Sequence, residues 1–524
     1  MTKTNETRVY GPPGVGKTSW IAREASKCAE KYGGDQVSLC SLTNTAIQEV
    51  FGREIPVPKE NISTLHARCK RSLSAPDPAE SHADEFIKGC PRWSSIGGYD
   101  PCLPAWMSHG KKDSTDGEFV LSGGAVSLYD KAQLLRQGMV PKEKWPSVVR
   151  QWYSAWSSWC RESGRMDFTG WLEAALEVRP LPPQQILFVD EAQDHTPLQL
   201  AVIRGWQTRH RVLIGDADQC VYEWSGASPQ EFIKDHPDCV GERVLEQSYR
   251  VPISVHRFAV RWINQIRNRK PIIYKPRPEE GKLMYSPYTL NDAKDGDLPE
   301  GLLENHDKTY MIIASCGYML DDIINILKSK GIPFHNPYRK SNLKWNPLEN
   351  LGYRIDSFLQ KTWTGEEAKS WAEILRSKDV FMIGRKRSFL SFCDEKSDIR
   401  LTERDIFSFF TEMAMGMIRE KDLNLLAKFK SLGVAGSWKY ARKVYAKSKE
   451  DRKPKLIIGT VHSIKGGESS HVYLFPDMSP AGMYDYHGVN KGRIHRLFYV
   501  GATRAKQTLT LCEQSRPFLA VDWV

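Results

Sequence analysis

Residues 11–18 read Gly-Pro-Pro-Gly-Val-Gly-Lys-Thr and match the phosphate-binding pattern G-x-x-x-x-G-K-[ST] at every position. Glycines in such a loop let successive backbone N–H groups point at an anion, and the helix that follows presents its positive end. The pattern assigns Lys17 to the outer phosphates and the Thr18 hydroxyl to magnesium. The predicted nucleotide site comprises Gly11, Pro12, Pro13, Gly14, Val15, Gly16, Lys17, Thr18 and the adjacent Ser19.

The sequence on either side of this loop supports a strand–loop–helix order. Residues 7–10 form a short β-branched and aromatic run. Residues 19–32 carry apolar side chains at helical spacing, and Gly33 and Gly34 end the predicted helix. A glycine-rich turn that binds nothing is the alternative, which this context disfavours.

Length and composition bound the class of protein. The chain has 524 residues, so we expect several domains. Hydrophobic residues make up 40% and charged residues 26%, which is typical of globular proteins. No apolar run is long enough to span a bilayer and the first residues are polar, which predicts a cytoplasmic protein without a membrane partner. Eleven irregularly spaced cysteines without a C-x-x-C pair predict buried thiols, and the net charge of +11 permits a polyanionic partner.

The order of strand and helix patterns predicts an α/β fold with two motor domains and two insertions. Strands and helices alternate over residues 1–72 and 181–242, which form the predicted ATP-binding motor domain. They alternate again over 243–337 and 454–524, the predicted second motor domain. The stretches 73–180 and 338–453 interrupt this order and are predicted to be mainly helical inserted subdomains.

A tryptophan stripe lies in the first insertion. Trp152, Trp156 and Trp159 fall at i, i+4 and i+7, one face of a helix. A base-stacking platform is one interpretation, but aromatic side chains at this spacing more often belong to a core, and we expect that here.

A basic segment ends the second insertion. Residues 428–455 contain ten Lys or Arg against two acidic residues, with Trp438, Tyr440 and Tyr445 interleaved. Such a segment suits a phosphate backbone with occasional base stacking. A solvated helix face explains it equally well, so both interpretations stay open.

Two more strand ends carry chemistry. The apolar run 186–189 leads into adjacent carboxylates: Asp190 can hold magnesium and Glu191 can polarise the water that attacks the γ-phosphate. After the run 211–215, Gln219 can sense the γ-phosphate. Because the carboxyl ends of parallel strands meet at one edge, we expect these groups, with Asp216, beside the phosphate loop.

Aromatic residues follow the second of these strand ends. Tyr222 and Trp224 come a few residues after Gln219, and an exposed aromatic ring there can stack on a base. That proximity predicts that the bound nucleotide affects how tightly these rings hold a nucleic-acid strand.

The remaining motifs occur in a fixed order along the chain. They read Ser-Leu-Thr-Asn-Thr-Ala-Ile-Gln-Glu (41–49), Ser-Thr-Leu-His (63–66), Val-Asp-Glu-Ala-Gln-Asp (189–194), Gly-Asp-Ala-Asp-Gln-Cys-Val-Tyr-Glu-Trp (215–224), Leu-Glu-Gln-Ser-Tyr-Arg (245–250), Gly-Thr-Val-His-Ser-Ile-Lys-Gly-Gly-Glu (459–468) and Leu-Phe-Tyr-Val-Gly-Ala-Thr-Arg-Ala (497–505). Across nearly its whole length the chain resembles the UvrD/Rep/PcrA-like superfamily 1 DNA helicases.

This resemblance implies two RecA-like P-loop motor domains with parallel sheets, each with a mainly helical inserted subdomain, termed 1B and 2B. It implies an ATP-dependent helicase that moves 3′-to-5′ on single-stranded DNA, with ATP and Mg²⁺ bound between the motors. The catalytic residues it implies are Lys17, Asp190, Glu191, Gln219, Arg250 and Arg504, with Thr18 and Asp190 on the metal.

The remaining roles also come from the resemblance. Tyr249 would stack on adenine and Glu468 would contact the sugar. The residues expected along the DNA strand are Thr43, His66, Tyr222, Trp224, Thr460 and His462. Single-stranded DNA and duplex junctions are the implied partners, with replication or repair proteins as further candidates.

The sequence also departs from the family pattern. The ten residues before Gly11 contain no glutamine for an adenine-contact motif, which leaves adenine specificity open. Leu42, Ala217, Gly467 and Ser469 replace residue types more usual in the motifs. The chain ends soon after the sixth motif, so we expect no nuclease domain.

Three alternatives remain from the sequence. A translocase could strip proteins from DNA with little unwinding, and a catalytically silent DNA-binding scaffold could keep the same fold. RNA instead of DNA is the third. Intact Lys17, Glu191 and Arg504 disfavour the silent scaffold.

Overall fold

The computed structural model describes residues 4–42, 55–90, 93, 127–179, 184–339, 342–426 and 432–523. The predicted DNA contact Thr43 and the rest of motif 41–49 after Leu42 lie outside these residues, as does the start of the basic segment.

The first sheet contains six parallel strands in the order β3-β2-β4-β5-β1-β6. Its strands are β1 (Asn5–Tyr10), β2 (Val37–Ser41), β3 (Ile62–Thr64), β4 (Ile186–Val189), β5 (His210–Gly215) and β6 (Cys239–Val244). The central β4 reads Ile-Leu-Phe-Val and is buried throughout, as expected of a strand covered on both faces. The chain leaves β1, β4 and β5 at one edge, which brings together the phosphate loop, Asp190 and Asp216.

A second six-stranded sheet has the order β7-β14-β13-β8-β12-β9. Its strands are β7 (Lys282–Ser286), β8 (Tyr310–Ala314), β9 (Phe334–His335), β12 (Leu456–Thr460), β13 (Ser469–Leu474) and β14 (Ala505–Cys512). The pairs β7–β14, β13–β14 and β9–β12 are parallel. Two parallel sheets confirm the predicted α/β class with two RecA-like sheets.

Contacts divide the chain into two compact units. The first comprises Met1–Thr289, Ile313–Met319 and Thr460–Val524, and the second comprises Leu290–Ile312 and Leu320–Gly459. The bounds predicted for the motor domains and subdomains 1B and 2B stay predictions.

The helices of the first unit cover its sheet strands and form the described part of the first insertion. They are Lys17–Tyr32, Leu65–Ser72, Ala83–Gly89, Leu128–Gln137, Ser147–Glu162, Phe168–Val178, Pro197–Gly205, Pro229–Ile233, Ile253–Ile263, Pro480–His487 and Lys491–Ala502.

The tryptophan stripe of the first insertion lies in a core. Trp152 and Trp156 are fully buried and stack with ring centroids 5.7 Å apart. Phe86 and Tyr129 pack edge-on against Trp156. Trp159 is partly buried against the same cluster. The expectation of a core instead of a base-stacking platform is therefore confirmed.

The second unit contains eight described helices and the short antiparallel pair β10 (Trp363–Thr364) and β11 (Arg400–Leu401). The helices are Asp292–Asp295, Asp321–Lys330, Glu349–Phe358, Gly365–Ala372, Arg385–Glu395, Glu403–Ile406, Glu412–Arg419 and Leu432–Tyr445. An aromatic core that includes Trp363, Trp371, Phe389 and Phe410 holds many of them together.

The aromatic residues of the basic segment are structural. Trp438 and Tyr440 are buried, and the Tyr440 hydroxyl donates to the Ile332 carbonyl at 3.0 Å. The Tyr445 hydroxyl bonds to the Gly352 carbonyl at 3.1 Å. The rings of Trp438, Tyr440 and Tyr445 therefore pack or hydrogen bond within the fold, whereas Lys439, between Trp438 and Tyr440 in the sequence, is exposed. Among the described residues, no helix has the length and apolar character needed to cross a membrane.

Candidate active site

The phosphate loop follows β1 and leads directly into the helix Lys17–Tyr32. The Gly11 amide donates to the Gly215 carbonyl at 2.9 Å, which ties the loop to the end of β5. Gly14 and Gly16 adopt positive φ angles of 73° and 74°, which favour glycine. A Cβ at Gly14 would also lie 2.4 Å from the Arg250 Cβ. The loop therefore requires glycine at Gly14 for both its conformation and its close approach to the segment that carries Arg250.

Lys17 lies between the loop and the carboxylate of Glu191, which is predicted to be catalytic. Its Nζ donates to the Gly11 carbonyl at 3.0 Å and lies 3.9 Å from Glu191 Oε1. Thr18 and Ser19 continue the first turn of the helix, where backbone N–H groups are available to an anion. This arrangement fits the phosphates of a nucleotide, with the Thr18 hydroxyl placed in the same turn as the lysine.

Asp190 and Glu191 follow β4. The Asp190 amide donates to the Cys40 carbonyl at 2.9 Å, and Asp190 Oδ1 accepts from the Glu191 amide at 2.8 Å. Glu191 has a φ of 49°, a conformation that costs about 1 kcal/mol or more in a residue other than glycine. Burial opposes ionisation of Glu191, but Lys17 and Lys465 outweigh it and lower its pKa to about 2. Glu191 is therefore a carboxylate throughout the physiological range.

Gln193 connects this carboxylate to its neighbours. Its Nε2 donates to Glu191 Oε2 at 2.5 Å and to Asp194 Oδ2 at 3.1 Å. Its Oε1 accepts from the Asp216 amide at 2.9 Å. One fully buried amide side chain thereby links the strand ends of β4 and β5.

The turn after β5 brings Gln219 to the same edge. Its Nε2 donates to Asp216 Oδ2 at 2.7 Å. Burial and the nearby Asp218 raise the pKa of Asp216 to about 7. Asp218 itself pairs with Arg269 at 2.8 Å. Gln219 is thus held in one orientation by a buried acid.

Arg504 reaches Gln219 across 285 positions of sequence. Its Nη2 donates to Gln219 Oε1 at 3.3 Å, and its Nη1 donates to the Gly467 carbonyl at 3.2 Å. Its Nε donates to the Val500 carbonyl at 2.8 Å, and the side chain is 1% exposed. The structure therefore brings together Lys17, Glu191, Gln219 and Arg504, with Asp190 directly before Glu191, which accounts for five of the six residues predicted to be catalytic.

The segment 248–250 packs against the phosphate loop. The Tyr249 amide donates to the Gly14 carbonyl at 2.8 Å, while the Tyr249 side chain is 72% exposed. Arg250 Nε donates to Glu468 Oε2 at 2.9 Å, and Lys506 pairs with the other oxygen at 2.8 Å. Burial opposes ionisation of Glu468, but these two cations outweigh it and lower its pKa.

Three of the predicted DNA contacts form an aromatic cluster. Tyr222 and Trp224 have ring centroids 6.4 Å apart, and His462 lies 6.3 Å from Tyr222 and 6.5 Å from Trp224. His462 Nε2 hydrogen bonds to the Val221 carbonyl at 3.1 Å. Lys465 Nζ lies 4.9 Å from the centre of the Tyr222 ring. Tyr222 and Trp224 are each partly exposed, as a stacking surface requires.

The other predicted DNA contacts occupy different surroundings. Thr460 is buried, and its hydroxyl accepts from the Ser463 amide at 3.2 Å. His66 packs edge-on against Phe168, and burial lowers its pKa to about 4. His66 is therefore neutral at physiological pH. A strand contact by either residue stays a prediction.

Sequence reasoning did not single out Gln193, Asp194 or Lys465. Lys465 pairs with Asp194, which is 3% exposed, so a buried ion pair joins motif 459–468 to motif 189–194. Burial and the charge of Glu191 raise the pKa of Asp194 to about 6, although Lys465 opposes them. All three residues lie inside motifs already visible in the sequence, and that location was the available signal.

The chain is similar to known DNA helicases. A family model described as an AAA domain matches residues 1–225. ATP-dependent DNA helicase PcrA of Bacillus subtilis (strain 168) is 28% identical over 310 residues, covering 52% of this chain and 39% of the relative. DNA helicase II of Escherichia coli (strain K12) is 32% identical over 123 residues, covering 21% and 16%. ATP-dependent DNA helicase UvrD2 of Mycobacterium tuberculosis (strain ATCC 25618 / H37Rv) is 40% identical over 86 residues, covering 16% and 12%.

These alignments span at most 39% of the length of the relatives named above. Their identities are modest, but they agree with the ordered motifs, the two parallel sheets and the phosphate loop with its converging carboxylates. By these features the chain carries an AAA domain and is a homologue of the UvrD/PcrA-type superfamily 1 DNA helicases.

Proposed function

We propose that this protein is an ATP-dependent DNA helicase that translocates 3′-to-5′ on single-stranded DNA. It would couple ATP hydrolysis, at a cleft between its two predicted motor domains, to duplex unwinding. The convergence of Lys17, Glu191, Gln219 and Arg504 carries the proposal. The names of the relatives support DNA as the substrate. The direction rests on the family resemblance alone.

The phosphate loop would hold the ATP phosphates. Its backbone N–H groups and Lys17 provide positive potential at the start of a helix. Magnesium, held by the Thr18 hydroxyl and the Asp190 carboxylate, would supply positive charge against the outer phosphates. Tyr249 would stack on the adenine, since its ring is exposed while its backbone is fixed to the loop.

Glu191 would orient and polarise the attacking water. Its pKa of about 2 keeps it ionised, and Gln193 and Lys17 hold it in place. Arg504, already bonded to Gln219, would stabilise negative charge that develops on the γ-phosphate. Arg250 would join it after exchanging its bond to Glu468 for a phosphate oxygen. Glu468, once released, would contact the sugar.

The aromatic cluster would hold the DNA strand. Stacking of a base on Trp224 or Tyr222 is tolerant of sequence, as a translocating motor requires. His462, Thr460, His66 and Thr43 are the further strand contacts proposed from the resemblance. Lys465 lies between this cluster and the carboxylates, so strand binding and hydrolysis would influence each other through it.

The decisive experiment measures ATP hydrolysis and strand separation on duplexes with a 3′ or a 5′ single-stranded tail. We expect single-stranded DNA to stimulate hydrolysis, and unwinding only with the 3′ tail. Lys17→Ala should abolish both activities while some DNA binding remains. Lys27→Ala, an exposed position on the same helix, is the matched control and should behave as the wild type.

Other results would redirect the proposal. Stimulated hydrolysis without strand separation, together with displacement of a bound protein, would favour a translocase that clears DNA. Hydrolysis that ignores DNA but responds to RNA strands would change the substrate. No hydrolysis under any condition would leave a DNA-binding scaffold as the remaining function.

A further inference from the structure

A wide groove lies in the second unit, among residues 377–411, and none of its lining residues belongs to a motif quoted above. Its volume of about 1180 Å³ exceeds the range of about 300–1,000 Å³ typical of small-molecule pockets. The lining contains apolar side chains, at 381–383 and 390, and positively charged side chains, at 378 and 385–387. A groove of this size and composition is suited to a polypeptide segment.

The apolar part is a turn whose tip projects into solvent. Phe381 is buried against Phe410, with ring centroids 4.6 Å apart. The Met382 amide donates to the Phe409 carbonyl at 2.9 Å. The next residue, Ile383, is fully exposed, and Met382 is 50% exposed. The buried Phe381–Phe410 contact and this backbone hydrogen bond therefore fix a turn that exposes two large apolar side chains to solvent.

Three cations at this groove have no ion-pair partner among the described residues. They are Lys378, Arg385 and Arg387, all exposed. Lys386 differs, because its Nζ donates to the Glu373 carbonyl at 3.0 Å and supports the scaffold. Asp379 is the single acidic residue in the lining. The groove thus combines exposed apolar surface with exposed positive charge that pairs with no described carboxylate.

We propose that this groove is a docking site for an acidic segment of a partner protein that also carries apolar side chains. Carboxylates of the segment would pair with Arg385, Arg387 and Lys378, while its apolar side chains would cover Ile383 and Met382. A nucleic acid fits less well. Its phosphates could pair with the cations, but its hydrated sugar-phosphate backbone would not cover the apolar side chain of Ile383. This partner site is independent of the proposed helicase activity.

The test uses the full-length protein and a fluorescent synthetic peptide of interspersed aspartate and leucine, followed by polarisation anisotropy. We expect saturable binding by the wild type. Ile383→Ser should weaken it by about tenfold, because a buried isoleucine contributes roughly that factor. Arg385→Ser with Arg387→Ser should weaken it by at least about tenfold, with a smaller salt dependence than the wild type. Peptides with leucine replaced by serine, or aspartate by asparagine, should bind more weakly.

Matched controls separate this site from a general surface effect. Val489→Ser changes an apolar residue outside the groove that is as exposed as Ile383, and Arg261→Ser changes an exposed arginine that is also outside the groove. Both variants should keep the wild-type affinity for the peptide. Absence of binding, or equal binding by the groove variants, would overturn the proposal. A loss of duplex DNA affinity in the same variants without peptide binding would also overturn it and assign the groove to nucleic acid.

Discussion

At the scale of single residues, Glu191 combines strain with charge. Its backbone has a φ of 49°, and its carboxylate lies among Lys17, Lys465 and Gln193. Strain persists where surrounding contacts enforce it, and such residues cluster at functional sites. Because Lys17 and Lys465 overcome the effect of burial, the carboxylate remains an acceptor for a water proton rather than a neutral acid.

The first prediction concerns this carboxylate. Glu191→Gln keeps the shape and the strained backbone but removes the charge that polarises water. We expect kcat for ATP hydrolysis to fall by about 100-fold or more, while nucleotide affinity is retained. Steady-state hydrolysis and titration with a fluorescent nucleotide measure the two effects. Glu143→Gln, at an exposed position, is the control. Full turnover by Glu191→Gln would remove Glu191 from the catalytic role.

At the scale of elements, the sequence predicted the central strands closely. The run 186–189 coincides with β4, and 211–215 falls within β5, because short runs rich in β-branched and aromatic residues, each followed by an acidic residue, favour buried strands over helices. The strand predicted at 7–10 falls within β1, which begins at Asn5 and ends at Tyr10. Helix starts were less accurate: the helix predicted over 19–32 ends at Tyr32 as expected but begins at Lys17.

Pairing between distant side chains was beyond the sequence. Phosphate-loop residues could be named individually because the pattern is local, whereas the Gln219–Arg504 contact depends on how the chain returns after 285 residues. The roles of Arg504 and Glu468 therefore came from family resemblance. Lys465 shows the same limit, since nothing in its neighbours along the chain specifies Asp194 as its partner.

The two kinds of tryptophan provide a second prediction. Trp156 is fully buried and its Nε1 donates to Asp167 at 2.9 Å, whereas Trp224 is partly exposed. Trp156→Ala should lower the free energy of unfolding by about 3–5 kcal/mol, measured by denaturant titration. Trp224→Ala should leave the denaturant midpoint nearly unchanged and reduce stimulation of hydrolysis by DNA more than basal hydrolysis. Equal loss of both activities in Trp224→Ala would place that ring in the core.

The first insertion provides a third prediction, on pH. Burial and the charge of Asp167 raise the pKa of Glu80 from 4.5 to about 7, although Tyr129 donates to it. The folded chain thus holds a proton that the unfolded chain releases between these pH values. The stabilisation is full below pH 4.5 and is lost as the pH rises to about 7, by up to about 3 kcal/mol.

Glu80→Gln carries no titratable proton at this site, so its denaturant midpoint should vary less between pH 4.5 and 7 than that of the wild type. Glu143→Gln, at an exposed position, should retain the wild-type slope. Identical slopes for wild type and Glu80→Gln would show that Glu80 titrates normally.

At the scale of the whole molecule, the residues proposed for ATP chemistry come from separate stretches of chain within one compact unit. The phosphate loop, the turns after β4 and β5, and the segment 460–504 all belong to the first unit. The buried Lys465–Asp194 pair joins the last of these stretches to the carboxylates, and Lys465 also lies over Tyr222. A connection of this kind would give the proposed strand-binding cluster a physical route to the proposed hydrolysis site.

The final prediction tests that route. Lys465→Met alone leaves Asp194 buried without a counter-charge, which should destabilise the fold by about 3–5 kcal/mol. The double variant Lys465→Met/Asp194→Asn removes both charges and should recover much of that loss, since an asparagine oxygen can still accept from Gln193. If the pair couples the two sites, the double variant should keep basal hydrolysis within about twofold and lose about tenfold of its DNA stimulation.

A buried ion pair elsewhere provides the control for that variant. Arg136→Met/Asp167→Asn alters another buried pair, in the first insertion, and should lower stability without changing the ratio of stimulated to basal hydrolysis. If both double variants lost stimulation in proportion to their stability, the Lys465–Asp194 pair would be structural only. If only Lys465→Met/Asp194→Asn lost DNA stimulation, the pair would be what transmits DNA binding to Glu191. In that variant no charged side chain links Tyr222 to Gln193 and Glu191.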